Sequence, residues 1–214
     1  MDGFNIASIL ISIPPILLAL TLHEYAHGYI AYRFGDPTAK LMGRLTLNPL
    51  AHLDPFGTIM IFLVRFGWAK PVPVDPRYLK DPKHDMMWIA AAGPLMNMIL
   101  AFISGILLRA MIAGGLHGRG AGLEHQIFMM VYLSVYINLA LAVFNILPIP
   151  PLDGSRILAG LLPNRYMPTL NMLEQRGPMI LMGVILFGMF TNIHIIGMVI
   201  GPFVNLFMWI FAGI

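Results

Sequence analysis

Long apolar runs separated by short polar loops organise this chain. Residues 6–34, 88–112 and 127–147 are three such runs, and each exceeds the ~20 residues that a hydrocarbon core of ~30 Å requires at ~1.5 Å per helical residue. The first is broken only by Pro14-Pro15 and by a polar cluster at 23–27. A fourth tract, 178–214, contains no Asp, Glu, Lys or Arg and is too long for one untilted span. It reads either as a tight hairpin turning near Thr191-Asn192 or as one span plus an interfacial helix. Residues 56–67 are apolar and β-branched but about half the length that a crossing helix needs.

Charge placement decides how 56–67 is read. If that stretch dips into the bilayer and returns, all 13 Lys and Arg except Arg109 and Arg119 lie on one side. The positive-inside rule favours this arrangement over a crossing. Irregular backbone at membrane depth must be covered by protein or line a wet cavity. The expectation is therefore an all-α polytopic membrane protein: one membrane-embedded domain over 1–214, with about four to five transmembrane helices and a short re-entrant β-like hairpin at 56–67. The amino terminus lies outside and the loops 35–87 and 148–177 are cytoplasmic, in a prokaryotic cell membrane. The segment MDGFNIASIL lacks the basic start of a cleavable signal and reads as part of a retained first span.

Composition sharpens the picture. The chain is 58% hydrophobic and 11% charged, against roughly a quarter charged in a soluble domain, so lipid is the solvent for most of its surface. It has no cysteine, which leaves imidazole and carboxylate as the available metal ligands. A net charge of only +3, with no basic tract, gives no case for nucleic acid as a partner. The 17 methionines show no clustering of the kind a thioether copper site needs.

Candidate chemistry sits inside the first span. His23-Glu24-Tyr25-Ala26-His27 fits HExxH, in which two imidazoles four residues apart project from one helix face and can share a metal ion. Glu24 can reach a water on that metal as general base. Ionisable groups within a span cost at least ~2.5 kcal/mol each and mark functional sites by default. Two His leave a tetrahedral zinc one protein ligand short. The candidate third ligand is Asp153 in Asn145-Ile-Leu-Pro-Ile-Pro-Pro-Leu-Asp-Gly154, where the prolines end the preceding helix and let an extended chain aim a carboxylate back into the bundle. The alternative makes Asp153 the N-cap of a helix beginning at Gly154. His52 and Asp54 read as hydrogen-bonding residues of a turn-rich loop, with gating or supplementing the site as the alternative. Asn97 reads as bonding a neighbouring helix, and His117, His125 and His194 as structural or solvent-exposed.

HEYAH together with NILPIPPLDG resembles the site-2 protease family of intramembrane zinc metalloproteases, peptidase family M50. RLTLNPLAHLDPFG (44–57) and AAGPLMN (91–97) resemble segments of its compact members without an inserted PDZ domain. The resemblance implies one zinc ion held by His23, His27 and Asp153, Glu24 as catalytic acid-base, and Asn145 holding substrate or stabilising the oxyanion. Transmembrane proteins or peptides are the implied substrates. A helical substrate hides its peptide groups in its own hydrogen bonds and must be unwound before attack. The β-branched stretch 58–64 is the expected strand edge for pairing with it. His27 and His23 lie ~10–16 Å below the helix end at ~1.5 Å per residue, so water needs a polar route to them. The competing readings are a membrane metal transporter, which is expected to show several sites along a pathway, and a non-catalytic membrane scaffold.

Overall fold

The computed structural model describes residues 6–64, 67–116, 122–191 and 193–214. Among the described residues eight α-helices follow one another: α1 (Ile6–Arg33), α2 (Thr38–Leu41), α3 (Pro55–Val64), α4 (Pro82–Ala113), α5 (Leu123–Ile146), α6 (Asp153–Leu161), α7 (Met167–Thr191) and α8 (Ile195–Ala212). Among the described residues β pairing is limited to one isolated bridge, Leu53 with Ala69. By length and composition, α4, α5, α7 with the turn before it, and α8 can each cross a membrane. Only about a fifth of each apolar window is buried inside the protein, so their outer faces need lipid. The chain is a multi-pass membrane protein.

The long helices α1, α4 and α5 pack against one another, and α8 packs on α4 and α5. Ala101, Leu108, Val135, Leu139, Val204 and Met208 form the buried seam of α4, α5 and α8. Arg109, near the end of α4, donates to the carbonyls of Trp209 and Ile210 at the end of α8. The apolar tail is thus two helices, one ending at Thr191 and the next starting at Ile195. Asn192, where a turn is expected, lies outside the described residues, as do Arg65, Phe66, His117 and Arg119. α1 continues through Pro14 and Pro15 without a break.

The expected re-entrant β-like hairpin is wrong: Pro55–Val64 is an α-helix. The start signal outweighs the β-branched composition. Asp54 accepts the backbone N–H of Gly57 at 2.8 Å, and Pro55 occupies the first helical position, where its missing N–H costs nothing. A helix also satisfies its own peptide groups, which a lone hairpin in an apolar setting does not. With the strand gone, 58–64 offers no edge for pairing with substrate. Gly57 lets α3 lie against the backbone of Trp68, because a Cβ there would collide with that residue's carbonyl.

The loop after α3 returns to α1 and is pinned along its length. Lys70 N donates to His52 O at 2.9 Å, and Arg44 donates to Lys70 O at 2.7 Å. The fully buried Asp36 accepts from Thr38 N through one oxygen and from Asp75 N through the other. Asp75 in turn caps the Pro76–Tyr78 turn, and its hydrogen-bonded partner Arg77 holds the carboxyl below its ordinary range. His52 is buried, with Nε2 on Thr46 O. His52 and Asp54 thus act in loop architecture.

Candidate metal centre

Helical periodicity places His23 and His27 one turn apart on the inner face of α1, where they are 6% and 9% exposed. Their Nε2 atoms lie 3.0 Å apart. Oδ2 of Asp153 approaches to 3.2 Å from His23 Nε2 and 3.4 Å from His27 Nε2. Among the described residues these three form a group whose possible ligand atoms all lie within 4.8 Å of one another.

The opposite ring nitrogens settle what those atoms are. His27 Nδ1 sits 2.7 Å from Ile89 O, and a carbonyl can only accept, so Nδ1 carries the proton and Nε2 presents a lone pair in the neutral ring. His23 Nδ1 sits 2.5 Å from Asn97 Oδ1 with the same consequence. Two lone pairs and a buried carboxylate oxygen without a hydrogen-bond partner therefore face one another. Such a cluster repels itself unless a proton or a metal cation lies among its members. Gly93 lets α4 lie against the two rings: a Cβ built there would stand 2.6 Å from His23 Nε2 and closer still to His27 Nε2. The donor set fits zinc, which takes imidazole and carboxylate ligands.

Asp153 arrives by local chain geometry. α5 ends at Ile146 and α6 begins at Asp153 itself, with Leu152 as its N-cap and no side-chain cap bond. The N-cap reading of Asp153 is thereby replaced: it is the first residue of the helix, and its Oδ2 faces the imidazoles. Gly154 allows the approach, since a Cβ there would strike the carbonyls of Ile146 and Leu147.

The cluster lies in the wall of a cavity of about 650 Å³ bounded by α1, α5, α7 and the 67–74 stretch. Glu24 shares this cavity, and its Oε2 accepts from the backbone N–H of Val72 at 2.9 Å. Asn145 lines the same wall, with Nδ2 donated to Leu141 O at 3.0 Å on its own helix. Gly93, the Ile89 carbonyl and the Val72 amide escape sequence reading because each contributes by position alone. Asn97 carried a signal, a polar residue deep in a span, but its partner could not be read from local sequence.

Fold and site together define a multi-pass helical membrane protein with a His–His–Asp cluster buried among α1, α4 and α6. The model of "Peptidase family M50" matches residues 11–115 and 110–191. YwhC of Bacillus subtilis is 49% identical over 151 residues, 69% of this chain and 67% of that protein. Rip2 of Mycobacterium tuberculosis is 31% identical over 146 residues, 64% of this chain and 52% of that one. MJ0611 of Methanocaldococcus jannaschii is 30% identical over 156 residues, 73% of each. All three bear the name "Putative zinc metalloprotease". No solved structure matches the chain. The chain belongs to peptidase family M50.

Proposed function

We propose that this protein is an intramembrane zinc metalloprotease of the site-2 type, hydrolysing peptide bonds within or near transmembrane segments of other membrane proteins. The observation that carries the reading is the convergence of His23 Nε2, His27 Nε2 and Asp153 Oδ2 beside Gly93, on a cavity that Glu24 shares. Family membership and the names of the relatives support the same chemistry.

His23, His27 and Asp153 hold the ion. When bound, zinc supplies Lewis-acid chemistry, polarising a carbonyl and acidifying water. The chain's other residues do the positioning and proton transfer. Glu24, oriented by the Val72 N–H, accepts a proton from the attacking water and returns it to the leaving amine. Asn145 gives up Leu141 O and turns its Nδ2 towards the scissile carbonyl oxygen, where a donor stabilises developing negative charge. An unwound stretch of substrate lies in the cavity between α5, α7 and the 67–74 stretch. The loop preceding α4 and the segment following α6 face the cytoplasm. Lys83 donates to Leu162 O and Asn164 Oδ1, which ties these two basic regions together at one end of the bundle, the arrangement that the positive-inside rule favours.

The test is Glu24→Gln in proteoliposomes with a single-span substrate. Cleavage should fall to background while bound zinc stays near one per chain; undiminished turnover rejects Glu24 as the base.

A further inference from the structure

The two imidazoles of the cluster are oriented by different means. His27 Nδ1 meets a backbone carbonyl, Ile89 O, which no side-chain substitution removes. His23 Nδ1 meets a side-chain amide, Asn97 Oδ1, and an amide can turn over. Reversed, Asn97 would present Nδ2 to His23, the ring would carry its proton on Nε2, and the lone pair facing Asp153 would be lost.

A second buried amide prevents this. Asn97 on α4 and Asn138 on α5 are both fully buried. Asn138 Nδ2 donates to Ser134 O at 2.8 Å, and Asn138 Oδ1 accepts from Asn97 Nδ2 at 2.8 Å. Asn97 Nδ2 also faces Ala19 O of α1 at 3.3 Å. Ser134 O can only accept, so Asn138 has one workable orientation; that orientation sets an acceptor 2.8 Å from Asn97 Nδ2, reinforcing the more distant Ala19 carbonyl, so Asn97 too has only one. Its oxygen must face His23. Inside an apolar bundle the reversed arrangement would set acceptor against acceptor with no solvent to compensate.

We propose that Asn138, which touches neither the imidazoles nor Asp153, is a positioning residue for the metal centre: through Asn97 it fixes His23 with its Nε2 lone pair turned to the ion. The inference rests on the zinc reading above. Residues that orient a metal-ligating imidazole from behind typically change metal affinity 10- to 100-fold when lost.

The experiment measures zinc affinity of detergent-purified protein by chelator competition, with helicity checked by circular dichroism. Asn138→Leu should weaken zinc roughly tenfold, and Asn97→Leu by roughly 10- to 100-fold. Ser134→Ala, which keeps the backbone carbonyl and removes only the hydroxyl bonded to Ser104, should leave zinc affinity unchanged. In the Asn97→Leu background, where the link to His23 is already cut, adding Asn138→Leu should cost nothing further. A residue that serves only helix packing would give the same loss in both backgrounds. That result would overturn the proposal, as would unchanged affinity in Asn138→Leu. If Asn97→Leu does not fold, Asn97→Ala supplies the background: there too Asn138→Leu should add nothing, and additive losses would overturn the relay. A parent protein that binds no zinc would instead overturn the zinc reading itself.

Discussion

Replacing Gly93 by Ala puts a methyl group against the imidazole rings of His23 and His27. The added Cβ would lie 2.6 Å from His23 Nε2 and 2.6 Å from His27 Cε1, about 0.8 Å inside the separation at which carbon and nitrogen normally touch. Neither ring has a free path of retreat. His27 is tied to Ile89 O at 2.7 Å and His23 to Asn97 at 2.5 Å, and α4 is packed on α1 along this stretch. Overfilling a tight site typically costs about 1–3 kcal/mol, which is about 5- to 150-fold in affinity. Zinc–imidazole bonds of about 2.0–2.1 Å leave no slack to absorb the shift. Chelator competition on the purified variant should therefore report zinc bound at least about fivefold more weakly than in the parent, with cleavage falling in step. Gly183→Ala on α7 is the control, because a Cβ there meets nothing within 4 Å; it should leave zinc affinity unchanged. Parental affinity in Gly93→Ala would refute the dependence of the metal centre on the close approach of α4 to the two rings.

Gly154→Ala should displace Asp153 by driving α6 away from the end of α5, lowering bound zinc with little change in helicity; full zinc occupancy would show that the aspartate does not depend on this contact. Asn145→Ala should lower kcat by about 10²–10³ while zinc is retained, the usual loss for one oxyanion donor, and a change confined to KM would reassign it to substrate binding. Removing zinc by dialysis against a chelator should abolish cleavage and lower Tm, since an ion at about 100 times its Kd contributes about 2.7 kcal/mol to the folded state. Adding zinc back should restore both, and insensitivity of activity to chelation would contradict the assignment.

The parts of this account legible in the sequence are those set by short-range geometry. The i, i+4 spacing of His23 and His27 puts both on one helix face whatever surrounds them, and the prolines before Asp153 end one helix so that another can begin at the carboxylate. The spans at α4 and α5 are readable from length and hydropathy alone. The stretch at 55–64 misleads because its β-branched content speaks for strand, whereas Asp54 and Pro55, sitting just before it, form a helix start that decides the outcome. Gly93 and Asn138 are illegible for a different reason: each matters only through a neighbour far away in sequence. Asn97 bonds residues 74 positions before it and 41 after it, and no local pattern encodes such a partnership.

Zinc K-edge X-ray absorption on the purified protein tests the centre itself. The account predicts one zinc per chain with two imidazole nitrogens and a carboxylate oxygen in its shell at about 2.0–2.2 Å, and loss of that oxygen contribution in Asp153→Ala. A parent protein without zinc, or a shell unchanged by Asp153→Ala, would contradict it.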